Sequence, residues 1–138
     1  MSITLHYDHV FDPEIVADAY NKWPVPCEDM LRWVLDQDPH GFAVWMYYER
    51  LPDTLLTFGA EMLGEISALP VTHAVQMEAI EALTKLAQHP KAYVREGAVY
   101  GLGCFTMDKE AADLLRNLVE HDPDPSVKLA AAEALDNR

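Results

Sequence analysis

The side chains that could do chemistry here are histidines, cysteines, serines and clustered acids, and their spacing excludes most of it. His6, Asp8 and His9 sit close enough in sequence to suggest a metal cluster. On an extended segment, however, His6 and His9 point to opposite faces, so no shared ligand sphere is expected. His89 and His121 each end an apolar-periodic segment. An imidazole there bonds the last carbonyls and complements the helix dipole, which is a structural role. Cys27 and Cys104 lack the short spacing of a zinc or redox pair, and read as small buried thiols in a reducing compartment. None of Ser2, Ser67 and Ser126 stands in a nucleophile elbow. Gly101-Leu102-Gly103 has no lysine after it of the kind a phosphate loop requires. The expectation is no enzyme, no metal and no cofactor.

Charge is the stronger signal. The 138 residues carry a formal net charge of −13, with a sequence pI of about 4.6. Such a chain repels phosphate backbones and anionic membrane surfaces, so direct nucleic-acid binding and membrane binding are not expected. A basic protein partner is its electrostatic complement. The charge is uneven. Residues 1–84 hold 14 acids against Lys22, Arg32 and Arg50, whereas residues 85–138 hold 9 acids and 7 bases. Ten of the thirteen aromatic residues fall at or before Phe58, so aromatics and acids concentrate together. Aromatic anchors ringed by charge are what interface hot spots are made of. Candidate partner contacts are therefore Asp36, Asp38, Trp45, Tyr48, Glu49 and Asp53 in the N-terminal half, with Glu61, Glu96 and Tyr100 further on.

These residues must be positioned by helices. Ile3, Leu5 and Tyr7 alternate with Thr4, His6 and Asp8, which predicts a short extended arm. Asp12-Pro13-Glu14 reads as a helix start, and Trp23-Pro24-Val25-Pro26 as its end. Helices are predicted over 28–37, 42–51 and 55–69, with breaks at Asp38-Pro39-His40-Gly41, Pro52 and Pro70. The segment Phe42-Ala43-Val44-Trp45-Met46-Tyr47-Tyr48 is apolar on all sides. A two-layer stack leaves part of such a helix uncovered, for a partner or a second copy of the chain, unless something packs over it. It is also too short to span a bilayer. The N-terminus lacks the basic region and apolar run of a signal peptide, so a cytoplasmic location is expected.

From Val75 onward the chain repeats itself. Residues 78–89 overlay 110–121 at an offset of 32, matching Leu83 to Leu115, Leu86 to Leu118 and His89 to His121. Residues 90–102 overlay 123–135 at an offset of 33, so one residue is inserted, placed here at Asp122. A weaker copy aligns Pro52, Leu56 and Gly59-Ala60 with Pro90, Val94 and Gly97-Ala98 at an offset of 38. Each unit is a helical hairpin that cannot bury its own face and must stack on neighbours.

The second helix of the unit, Pro90, Val94, Arg95, Ala98, Leu102 and again Pro123, Val127, Lys128, Ala131, Leu135, resembles the HEAT-repeat family, in particular its short lyase-type subgroup. The resemblance implies an all-α fold of antiparallel hairpins stacked as a short solenoid, with second helices lining a concave face. It would form one domain: a divergent helical cap over 1–50 and repeats over 52–138. Such proteins are adaptors, scaffolds or inhibitors. Some related enzymes hold a di-iron centre with repeated His-Glu dipeptides, and this chain has none. The leading expectation is a binder or inhibitor of a basic protein, as in immunity proteins that neutralise toxins or nucleases and in anti-defence proteins. The alternatives are a self-associating assembly adaptor and a lyase- or chaperone-type protein.

Overall fold

The computed structural model describes residues 27–48 and 51–136. The expected N-terminal arm, the first expected helix and Glu49 lie outside the described residues. Within them are seven α-helices and no strand: α1 (Glu28–Gln37), α2 (Pro39–Tyr47), α3 (Asp53–Glu65), α4 (His73–Leu86), α5 (Ala92–Leu102), α6 (Lys109–His121) and α7 (Pro125–Asp136). Short 3-10 turns follow α3 and α5 at Ile66–Ala68 and Gly103–Phe105. The starts of α2, α4 and α6 are capped by side chains of the types that favour that position. Asp38, Thr72 and Asp108 side chains accept from the N–H groups of Gly41, Val75 and Ala111 at 2.8, 3.3 and 3.1 Å. The expected break over residues 38–41 is narrower than its composition suggests. Asp38 alone separates α1 from α2, because proline is favourable at the first helical position.

Three hairpins stack: α2 with α3, α4 with α5, and α6 with α7. First helices α2 and α4 lie side by side, and second helices α3, α5 and α7 form one continuous layer. The α1 helix closes the end by packing on α2 and α3. The aromatic run is consequently core. Phe42, Ala43, Val44, Trp45 and Met46 are all buried, because α1, α3 and α4 cover α2 from three sides. The expectation of an uncovered surface there is not met over these five residues.

The second helices approach closely, and this explains the two glycines inside α5. A Cβ at Gly101 would lie 2.5 Å from the Ala60 carbonyl oxygen, and one at Gly97 would lie 2.9 Å from the Thr57 Cα. Both obstacles are backbone of α3. Gly59 differs, since its added Cβ would meet the flexible end of Met46. Glycine costs a helix about 1 kcal/mol relative to alanine, and here close packing offsets it.

Ionic ties join successive hairpins at the same relative place. Arg95, at the start of α5, grips Asp122 in the α6–α7 turn with two hydrogen bonds, Nε to Oδ2 at 2.9 Å and Nη2 to Oδ1 at 3.2 Å. Its Nη1 also donates to the His89 and Pro90 carbonyls at 3.0 and 3.1 Å. The pair is nearly dry, with side chains 12% and 3% exposed. One hairpin earlier the polarity reverses. Asp53, at the start of α3, bonds Lys91 at 2.7 Å and lies 3.7 Å from His89 Nε2 in the α4–α5 turn.

The turns correct the repeat alignment. Lys91 N–H donates to His89 Nδ1 at 3.1 Å, and Asp124 N–H donates to Asp122 Oδ1 at 2.9 Å. His89 and Asp122 are both buried and brace the same turn. The counterpart of His89 is therefore Asp122 rather than His121, which is exposed beside Glu120. The extra residue lies in the last turn of α6, which runs on to His121 where α4 stops at Leu86.

Two outcomes are expected in urea unfolding of the whole chain. Gly101→Ala loses about 1 kcal/mol or more, since overpacking against backbone exceeds the propensity gain, whereas Gly59→Ala stays near neutral. Asp122→Ala loses about 3 kcal/mol because it strands a buried guanidinium, and Arg95→Lys is also destabilising because an ammonium cannot make the fork.

Candidate protein-interaction surface

The layer of second helices turns one face inward and one outward. Inward go Leu56 and Leu63 on α3, Val94, Ala98 and Leu102 on α5, and Val127 and Ala131 on α7. Helical periodicity then sends outward Phe58, Glu61 and Glu65, then Tyr93 and Tyr100, then Leu129 and Glu133. Large apolar side chains are conspicuous there: Phe58, Tyr93, Tyr100 and Leu129 are 38, 43, 48 and 61% exposed. Four of the five exposed large hydrophobic residues of the described chain thus share one face.

Acids are interleaved with them. Tyr100 stands among the carboxylates of Glu96 on its own helix, Glu133 on α7 and Glu61 on α3. Partial burial raises the Tyr100 hydroxyl pKa first, and the charges of Glu96, Glu133 and Glu61 raise it further. Partial burial also raises Glu61, helped by Glu28 on α1. Among the described residues, none of Glu61, Glu96 and Glu133 forms a salt bridge. Glu65, nearer the rim, is instead bound by Arg32 at 2.8 Å. The centre of the face is an uncompensated negative field around an aromatic ring.

Of the residues expected from sequence, the fold brings together Glu61, Glu96 and Tyr100. The others are dispersed. Trp45 is 9% exposed and lies in the core. Tyr48 sits edge-on to Tyr47 with ring centroids 5.4 Å apart, and Lys85 Nζ hangs over both rings at 6.0 and 4.9 Å. Asp38 uses its carboxylate as a helix cap. Asp53 is held by Lys91, whose hydrogen bond lowers its carboxyl pKa. Asp36 is exposed on α1, close enough to Arg32 for its charge to act on that guanidinium. Missed were Phe58, Tyr93, Leu129 and Glu133. The repeat register held a signal for two of them, since shifting Glu96 and Tyr100 by 33 reaches Leu129 and Glu133.

A separate open groove of about 320 Å³ is lined by residues including Ser67, His73, Met77, Cys104 and Met107. Cys104 is exposed and Cys27 half-buried, so neither is the buried thiol expected from sequence. Partial desolvation, then Glu65, raises the Cys104 thiol pKa, which disfavours the nucleophilic thiolate. Among the described residues no group of three or more His, Cys, Asp or Glu could hold a metal ion, and no helix is long and apolar enough to cross a membrane.

The sign of the Glu61 shift gives a stability test. A carboxyl whose folded pKa is raised favours its protonated form in the fold, so its ionised form weakens the fold at neutral pH. Glu61→Gln is expected to stabilise the chain at pH 7 by less than about 1 kcal/mol at so exposed a site. The gain should vanish as pH falls through the folded pKa towards the ordinary glutamate range. Thermal midpoints from pH 7 to 4 check this.

Residues 60–136 match the family described as HEAT repeats. No curated protein and no solved structure matches the chain. The match covers more than half of the 138 residues, entering within α3 and running through the stacked hairpins to the end of α7. With its helical hairpins stacked through a common second-helix layer, the chain belongs to the HEAT-repeat family, a protein-interaction scaffold.

Proposed function

We propose that this HEAT-repeat chain is a non-enzymatic binder whose second-helix face holds a basic protein. The observation that carries this reading is the grouping of Glu61, Glu96 and Glu133 around the exposed Tyr100, with no cation among the described residues to balance them. An ionised carboxylate that weakens the fold is compensated when a partner brings a cation and excludes water. The neighbouring Phe58, Tyr93 and Leu129 supply the apolar area that a purely electrostatic contact lacks. Net charge of −13 steers such a partner from a distance. Within this reading, the small acidic chain suits an inhibitor of a basic toxin or nuclease, as an immunity protein does. The alternative of a self-associating adaptor is less well matched, because two copies of this face would oppose like charges.

The test is affinity capture with the full chain as bait. Wild type is expected to retain basic proteins in a salt-sensitive manner. The double charge reversal Glu61→Lys with Glu133→Lys should weaken capture of those same proteins at least about tenfold, while Glu110→Lys, exposed on the first helix α6, leaves it unchanged. Retention by the double variant at wild-type level would refute the assignment of this face.

A further inference from the structure

The open groove of about 320 Å³ is built from different material than the acidic face. It forms at the connections between hairpins. There the 3-10 turns Ile66–Ala68 and Gly103–Phe105, with Met107 and Asp108 just before α6, meet the N-terminal part of α4. Three of its lining residues carry sulfur, namely Met77, Cys104 and Met107, and His73 adds an imidazole. His73 and Met77 are four apart on α4, so they project from one side of that helix. Cys104 and Met107 are three apart on the connection to α6.

Each of these donors is open to an ion. Among the described residues, no hydrogen bond or ion pair holds the His73 imidazole. The Cys104 thiol donates weakly to the Tyr100 carbonyl at 3.7 Å, which leaves the sulfur lone pairs unused. Met107 is 95% exposed, and of the five exposed large hydrophobic residues of the described chain it is the one off the second-helix face. Packing therefore does not account for it. Buried Ile80 and Phe105 supply an apolar wall.

The softness of the donors selects the ion. Thioether and thiolate sulfur suit Cu(I), whereas Ca²⁺ and Mg²⁺ need oxygen ligands and Zn²⁺ needs a fuller set of imidazole, thiolate or carboxylate. Asp108 is already engaged, since its Oδ1 accepts from the Ala111 N–H at 3.1 Å. Cu(I) has a filled d shell and tolerates low, irregular coordination. Methionine side chains are unbranched with three rotatable bonds, so Met77 and Met107 can close on an ion while the helices stay in place. We propose that this groove is a Cu(I) site, with Cys104 and Met107 as ligands from one wall and Met77 and His73 from the other. Binding exchanges the thiol proton for the ion. The proton passes to solvent and the copper stays Cu(I). The expectation of no metal from sequence counted histidines, cysteines and acids, and thioethers fall outside that count.

The probe is Cu(I) alone, titrated without oxygen into the full-length protein against the coloured chelator bicinchoninate. The chain should withdraw one Cu(I), and X-ray absorption should show copper bound mainly by sulfur. Cys104→Ser should weaken binding at least about a hundredfold and Met107→Leu at least about tenfold. Thermal midpoints of both metal-free variants should stay close to wild type, because both residues are exposed. Cys27→Ser, just before α1, should bind as wild type does. Failure to compete with the chelator, full retention by Cys104→Ser, or equal loss in Cys27→Ser would overturn the site. Wild-type affinity in Met107→Leu, with copper surrounded by nitrogen and oxygen, would overturn the sulfur ligand set.

Discussion

One largely shielded guanidinium organises the stack. Arg95 stands where two hairpins meet, and its donors reach the His89 and Pro90 carbonyls of its own turn and the Asp122 carboxylate of the next. Asp122 in turn braces the Asp124 N–H that opens α7. The angle between successive hairpins is thus set by a planar fork with little freedom, rather than by apolar contact alone. On the outward face, the spacing of α7 from α5 follows from that joint. Glu133 stands near Tyr100 because α7 is held at this distance and rotation from α5. The earlier joint uses Asp53 with Lys91 and His89 in reversed polarity, so the device is conserved in place while its chemistry changes.

Close approach of the second helices then lets the surface carry unfavourable charge. Gly97 and Gly101 bring α5 onto the backbone of α3, and the small residues Ala98, Ala130 and Ala131 are buried within the same layer. Glu61, partly buried and near Glu28, is a residue that folding alone would exchange for a neutral one. Its presence is consistent with selection for what the face binds rather than for the fold, as stability–function trade-offs lead one to expect.

The repeat was readable because its determinants are local. Proline turns, apolar residues at steps of three and four, and a recurrent Val-Arg or Val-Lys pair specify hairpins without knowledge of their neighbours. The weak copy at Pro52 was also readable, and α3 does lie beside α5 as a second helix. The surface was only partly readable. Charge density and aromatic content point to residues before Phe58, but burial depends on which helices cover which. Trp45 and Phe42 disappear under α1, α3 and α4, contacts that no local pattern encodes. Glu61 lies far in sequence from Glu96 and Tyr100, which share α5, and it joins them only when the hairpins stack. The placement of the inserted residue failed for a similar reason: His89 matches His121 in type, but the buried turn position belongs to Asp122.

Site-specific photocrosslinking tests the central claim most directly. Benzoylphenylalanine is placed singly at Tyr100, in the middle of the second-helix face, and at Tyr48, beside Lys85 at the end of α2. Irradiation in cells that produce the protein should yield a crosslinked basic protein from position 100 and little from position 48. Crosslinking confined to position 48, or an acidic partner at position 100, would contradict the assignment of the second-helix face as the binding surface.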